Sequence, residues 1–256
     1  MSEEWPSVWV LFATFKRTTA ALKTIESLGR YLHYPNLHFH ICDDGSGKTD
    51  DGTDRWHVGV LAEAFAEFSP DVTWHEMETP LGSFNTGGNI NRGIQTAREN
   101  GSLIHMLNFD DWALQRELDI SPHVDLLDVN DSVGFLRLSY LVPGMAGVCV
   151  GHRSSERLNA SGYMWLRLIR DWSTQNPWAT DNYLVSTQPY LAHIRFFEAY
   201  GWHPEHCNPG VAETNLGAQY LSSPLGENGP QILHHIGPFS THAPWGHMVG
   251  RAHYYA

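Results

Sequence analysis

Cysteine is scarce in this chain: Cys42, Cys149 and Cys207 are the only three in 256 residues, widely spaced and with no C-x-x-C pair. That excludes a disulfide framework and a zinc cage of paired thiolates, and it suits a reducing compartment. Basic side chains are also few, 16 Lys and Arg against 28 Asp and Glu, for a net charge of −12. A surface of that sign grips a phosphate backbone poorly, although a local basic patch on an acidic protein still admits nucleic acid as a substrate. No apolar run reaches the roughly 18 residues that span a bilayer. The opening Met-Ser-Glu-Glu-Trp-Pro has neither the basic nor the apolar region of a secretion signal. A soluble cytoplasmic protein is expected. Internal repeats, linkers and low-complexity tracts are missing too.

What is present is a globular composition. Hydrophobic residues make up 42% of the chain, enough for a sizeable core. The first 111 residues alternate two periodicities. Val8 to Ala13, Leu37 to Cys42, Val72 to His75 and Leu103 to Leu107 read as strands. Thr18 to Leu32, Trp56 to Phe68 and Asn85 to Asn100 read as helices, the first capped by Thr18 or Thr19 and the last stopped by Gly101. This alternation predicts an α/β fold with a parallel sheet covered on both faces. Residues 1–114 carry this regular alternation, and 115–256 form a less regular half within the same continuous domain. The second half is rich in Trp, Tyr, His and Pro; Val133 to Leu138 reads as a strand, Tyr163 to Ile169 as strand or helix, and Tyr190 to Tyr200 as a helix.

In open α/β sheets ligands bind beyond the carboxyl ends of the strands. Three polar clusters fall there: Thr14-Phe15-Lys16-Arg17, Asp43-Asp44-Gly45-Ser46 and Asn108-Phe109-Asp110-Asp111. Adjacent carboxylates closing a buried strand resist dehydration, and a divalent ion relieves that penalty; oxygen donors suit Mg²⁺ or Mn²⁺. Asp43 and Asp44 can accept hydrogen bonds from a base or a ribose. Lys16 and Arg17 can neutralise a diphosphate. The glycines around Asn91-Arg92-Gly93 fit neither a P-loop nor a dinucleotide fingerprint. Glu213, in Gly210-Val211-Ala212-Glu213, is a candidate general base. A late cluster, His234-His235-Ile236-Gly237-Pro238-Phe239-Ser240 with His242 and His247 nearby, offers imidazoles to a metal or a diphosphate.

Taken in order, these motifs resemble family 2-like inverting glycosyltransferases of the GT-A fold. The resemblance rests on Thr14-Phe15-Lys16-Arg17, Asp43 to Ser46, Asn91-Arg92-Gly93 and Asn108 to Asp111, and it covers the first 114 residues. It departs at Ile90, where an arginine is usual, and at Asn108, where the metal motif opens with aspartate. It implies a Rossmann-like nucleotide-binding sheet, with residues 1–114 as the nucleotide-sugar-binding half and 115–256 as the acceptor-binding and catalytic-base half, and transfer of a sugar from a nucleotide-diphosphate sugar. Thr14, Phe15, Arg17, Asp43, Asp44, Asn91 and Asn108 would bind the donor. Asp110, Asp111 and His235 would hold Mn²⁺ or Mg²⁺, Asp111-Trp112 also matching a Glu-Asp-Asp-Trp variant of the motif. Glu213, or else Asp181, would supply the base. The acceptor stays open among polysaccharide, protein, small molecule and modified DNA. Asn108 also invites a nucleotide-sugar-binding protein without catalysis. A nucleotidyltransferase is disfavoured because the loop after the first strand is short and lacks glycine.

Overall fold

The structure is a computed structural model and describes residues 5–77, 85–138, 155–160, 163–168, 189–207, 209–225, 228–235 and 245–247. Its elements run β1 (Val8–Thr14), α1 (Thr18–Tyr31), β2 (Leu32–His33), β3 (Leu37–Asp43), α2 (His57–Ala66), β4 (Val72–Glu76), α3 (Thr86–Glu99), β5 (Ile104–Phe109), β6 (Trp112–Leu114) and β7 (Leu118–Asp119). They continue with α4 (Ser121–Val129), β8 (Val133–Arg137), β9 (Ser155–Ala160), β10 (Tyr163–Leu168), β11 (Tyr190–His193), α5 (Ile194–Tyr200), α6 (Pro209–Ser222), β12 (Gln231–His235) and β13 (Trp245–His247).

Among the described residues one nine-stranded sheet dominates, in the order β4-β3-β1-β5-β11-β8-β12-β10-β9. β4, β3, β1 and β5 are parallel, β11 is antiparallel to both β5 and β8, and β12 is parallel to β8. The sheet therefore runs without a break from the first half of the chain into the second. β1 is buried along its whole length because both of its faces are covered. Val8, Val10 and Phe12 pack under α1 and α2 against Ala21, Ile25, Leu28, Val58, Leu61 and Phe65. Trp9, Leu11 and Ala13 point the other way, onto Ile90 and Ile94 of α3, in a cluster that also holds Phe196, Leu216 and Tyr220 of α5 and α6.

Close packing of α3 depends on Gly93. A Cβ there would stand 2.6 Å from the Cys42 sulfur and 3.2 Å from Leu11. Three expectations change. Tyr190–His193 is a strand inserted between β5 and β8, and helix begins only at Ile194; four buried or near-buried residues in the middle of a sheet carry no alternation to distinguish them from a helix start. The cap of α1 comes from neither Thr18 nor Thr19. Arg17 holds that position in the left-handed conformation, and the distant Asp50 carboxylate accepts from the Thr18 amide at 2.9 Å. The ambiguous Tyr163–Leu168 is strand, paired with β9 and β12.

Candidate active site

β3, β1 and β5 lie side by side and end together, with Thr14 opposite Asp43 and Ala13 opposite Phe109. The three polar clusters consequently meet on one edge of the sheet, the edge where α1 follows β1 and α2 follows β3. Asp110 is completely buried. Its Oδ2 accepts from the Thr14 hydroxyl (3.0 Å) and the Phe15 amide (3.3 Å), and its Oδ1 from the Arg17 guanidinium. The other arm of that guanidinium reaches Asp111 Oδ2 at 2.8 Å. Burial pushes the Asp110 carboxyl up to about 7, against the opposing pull of Arg17. Two carboxylates thus converge on a single cation position, now held by an arginine.

Beneath them lies His57, with both ring nitrogens engaged. The single proton of the Thr14 hydroxyl goes to Asp110, so the His57 Nε2–H must donate to Thr14 (3.0 Å), and its Nδ1 accepts from the Thr18 hydroxyl (3.0 Å). The tautomer follows from the network. Burial lowers the affinity of His57 for a second proton, so its approach to Asp43 at 3.9 Å is not an ion pair.

Asp43 is satisfied from its own turn. Ser46 donates its amide to Oδ2 (2.7 Å) and its hydroxyl to Oδ1 (2.5 Å), and the turn closes through Gly45 at φ 82°. Burial raises this carboxyl to about 6. Asp44 accepts from the Thr86 hydroxyl at 3.3 Å, at the first residue of α3, where the helix dipole favours an anion. Phe15 is partly exposed beside them, with the Lys16 ammonium 5.2 Å from its ring centre.

The remaining expected residues fall elsewhere. Asn108 is a tie within its own turn: its Nδ2 donates to the carbonyls of Phe109 (3.0 Å) and Trp112 (3.1 Å), closing the bend that carries Asp110 and Asp111. Its Oδ1 is buried and has no partner among the described residues. An aspartate here would turn an anion toward two carbonyl oxygens, which gives the substitution a physical reason. Asn91 is likewise occupied. Its Nδ2 donates to the His203 carbonyl (2.9 Å) and Glu205 (3.2 Å), and its Oδ1 accepts from the His203 amide (3.0 Å). With Asn85, which accepts from the His206 amide at 2.8 Å, it docks the segment before α6 onto the start of α3. Glu213 is half-buried and lies inside α6, one turn from its start, rather than ahead of the helix. Asp181 lies outside the described residues.

His235 ends β12 on the same edge, but β11 and β8 intervene between β12 and β5. Three inter-strand steps amount to about 14 Å. Among the described residues of that late cluster, it is the backbone of His247 that pairs with Trp112, next to Asp111.

A second cluster was not foreseen. His40, Cys42 and His75 are buried, with ligand-type atoms within 4.8 Å of one another, the one such group of three among the described residues. Its donors are nitrogen and sulfur, unlike the oxygens of the strand edge. Its histidines already form a closed chain: Thr73 Oγ1 to His40 Nδ1 (2.7 Å), His40 Nε2 to His75 Nδ1 (2.7 Å), His75 Nε2 to Asn89 Oδ1 (2.6 Å), and Asn89 Nδ2 to the Cys42 carbonyl (2.9 Å). Period-two placement of His40 and Cys42 on β3 was the available signal. His57 offered none, being a single histidine at a helix start.

Most of the chain superimposes on known structures. It matches a mannosyltransferase, PcManGT from Pyrobaculum calidifontis, in complex with GDP-Man and Mn²⁺, with a TM-score of 0.59 at 13% identity over 98% of this chain and 59% of that one. It also matches S. aureus TarS residues 1–349, with a TM-score of 0.57 at 12% identity over 90% of this chain and 60% of the other. The fold is that of GT-A-type glycosyltransferases. TarS structures with UDP and with UDP-GlcNAc align similarly, at TM-scores of 0.56. The chain spans about three fifths of the length of these structures. No family profile matches its sequence, and no curated protein does. Among the described residues no helix is long and apolar enough to cross a membrane.

Proposed function

We propose that this chain is a metal-dependent inverting glycosyltransferase that uses a nucleotide-diphosphate sugar. One observation carries the reading. Two buried carboxylates, Asp110 and Asp111, share a cation position at the carboxyl edge of a GT-A sheet. The structural neighbours support it, one by its GDP-Man and Mn²⁺ and another by its UDP and UDP-GlcNAc.

The residues fit a divalent ion. Asp110 and Asp111 supply hard oxygens, and the position already attracts positive charge. Mn²⁺ or Mg²⁺ bound there would offset the charge that develops on the departing diphosphate. Asp43 and Asp44 accept from the base and ribose. Thr14 and His57 hold Asp110 in place through their hydrogen-bond chain. Glu213 takes the proton of the acceptor hydroxyl as its oxygen bonds to the anomeric carbon. The bond from that carbon to the diphosphate oxygen breaks on the opposite side, leaving the nucleoside diphosphate. Asn91 serves by docking the segment that leads to α6.

The test is release of nucleoside diphosphate from a panel of nucleotide sugars with Mn²⁺, using the purified chain and the Asp110→Asn/Asp111→Asn double variant. The expected result is metal-dependent release from at least one donor, reduced about 10²–10³-fold in the variant. Unaltered release in the variant, or no release and no binding with any donor, would overturn the reading.

A further inference from the structure

Arg17 stands where a metal would. Its guanidinium forks across Asp110 Oδ1 and Asp111 Oδ2. Both carboxylates are essentially buried, whereas the arginine side chain is 36% exposed and has solvent to move into. A planar fork and a divalent ion compete for the same two oxygens, since each draws on their negative charge and the two cations repel.

The backbone makes this placement deliberate. Lys16 and Arg17 both take the left-handed conformation, φ 54° and 53°, which non-glycine residues rarely adopt. Two consecutive residues are held so from outside. The Lys16 amide donates to Ser46 Oγ (2.7 Å), the Arg17 carbonyl accepts from the Ala20 and Ala21 amides (3.0 Å each), and the Thr18 amide is taken by Asp50. Backbone strain of this kind persists when surrounding contacts over-determine it, and it clusters at sites where it serves a mechanism. Here it lets Arg17, at the end of β1, turn sideways onto the end of β5. The hydrogen bond from the preceding Lys16 amide to Ser46 links the position of Arg17 to the turn that holds Asp43.

We infer that Arg17 is an exchangeable counter-ion that makes metal binding conditional on the donor. Without donor, the guanidinium neutralises Asp110 and Asp111 and keeps the ion out. A nucleoside diphosphate offers Arg17 a second anionic partner, and its departure opens both carboxylates to the ion. Metal and diphosphate then bind with positive coupling, and that coupling is reciprocal. The inference rests on the metal position proposed above, and its test reads binding rather than sugar transfer.

Mn²⁺ affinity would be measured by electron paramagnetic resonance, with and without saturating GDP and then UDP, for the wild type and for Arg17→Ala, Arg17→Lys and Asp110→Asn/Asp111→Asn. Arg17→Ala is expected to bind Mn²⁺ alone at least tenfold more tightly than the wild type. Its gain in Mn²⁺ affinity on adding the diphosphate should shrink by a similar factor. Arg17→Lys keeps a charge but loses the fork and should fall between. Because removing Arg17 takes the cation away from two buried carboxylates, Arg17→Ala should melt lower without metal and recover more on adding Mn²⁺ than the wild type does. Equal or weaker Mn²⁺ binding by both folded Arg17 variants, with coupling intact, would overturn the exchange while leaving the metal site standing. Mn²⁺ binding that survives in the double aspartate variant, or that appears in no protein, would instead overturn the site itself.

Discussion

The two aspartate pairs end neighbouring parts of one sheet, yet they are stabilised in opposite ways. At the end of β3, Asp43 is satisfied by neutral donors three residues away, both from Ser46. At the end of β5, Asp110 and Asp111 draw on a cation more than ninety positions distant in the chain. Asp43 is thus satisfied within its own turn, while its neighbour Asp44 accepts from Thr86 at the start of α3. The second pair draws on a borrowed charge, that of Arg17, beside the Thr14 and Phe15 donors to Asp110. Local hydrogen bonds make a fixed reader, and a borrowed charge makes a site whose occupant can be exchanged.

The sharpest way to break the comparison is Asn108→Asp, which restores the carboxylate usual in this motif. If the β5 end simply wants more negative charge, the variant should be neutral or better. The structure predicts the reverse. The amide of Asn108 donates to two carbonyls, and an aspartate would face them as a buried anion. A loss of about 1–3 kcal/mol is expected in metal-free urea unfolding at pH 8. A buried carboxyl has its affinity for protons raised in the folded state, so the unfolded chain ionises first. The loss should therefore be smaller at pH 5 and grow as pH rises. Equal stability to wild type at both pH values would show that the turn does not depend on that amide.

Much of this was legible from sequence, for a reason. The parallel half announces itself because β1, β3 and β5 each run at once into a polar cluster, and these neighbouring strands end level. What was missed depends on contacts between distant residues. The cap on α1 comes from Asp50, thirty-two positions from Thr18. His57 orders Thr14 and Asp110 from a helix start with no motif around it. Asn91 sits in a motif read as donor-binding, yet its amide is spent on a segment 112 residues later. β11 read as helix because four residues in the interior of a sheet carry no periodicity of their own. Residue type and local spacing specify which groups stand at the strand ends, but not which of them pair.

The next measurement sharpens the comparison from the β3 side. Asp43 is held up to about 6 by burial, in spite of its Ser46 hydrogen bonds. Above that pH it is an anionic acceptor for a base or ribose, and below it the acceptor carries a proton. Nucleoside diphosphate affinity should weaken about tenfold between pH 7 and pH 5. The sign for stability is the opposite: with the folded value above the unfolded one, this group's contribution declines as pH rises from about 4 to 6 and is then constant. Ligand affinity and thermal stability should therefore move in opposite directions across that window for this residue. Titration calorimetry of Asp43→Asn with GDP and UDP isolates it, since the pH step should vanish in the variant. A step of the same size in the variant would assign the titration elsewhere.

The smallest expected effect separates the local solution from the borrowed one. Ser46→Ala removes the hydroxyl that donates to Asp43 and accepts from the Lys16 amide, while the Ser46 amide still serves Asp43. A stability loss of about 1 kcal/mol follows from one hydrogen bond lost on each side of a small group. Its second consequence is more telling. The Lys16 amide is one of the contacts that hold the left-handed pair preceding α1, so the change at the end of β3 should loosen the aim of Arg17 at the end of β5. Mn²⁺ should then bind slightly more tightly without nucleotide in Ser46→Ala than in wild type. If stability falls while metal affinity stays fixed, the two strand ends are energetically independent, and Arg17 is positioned by Asp110 and Asp111 alone.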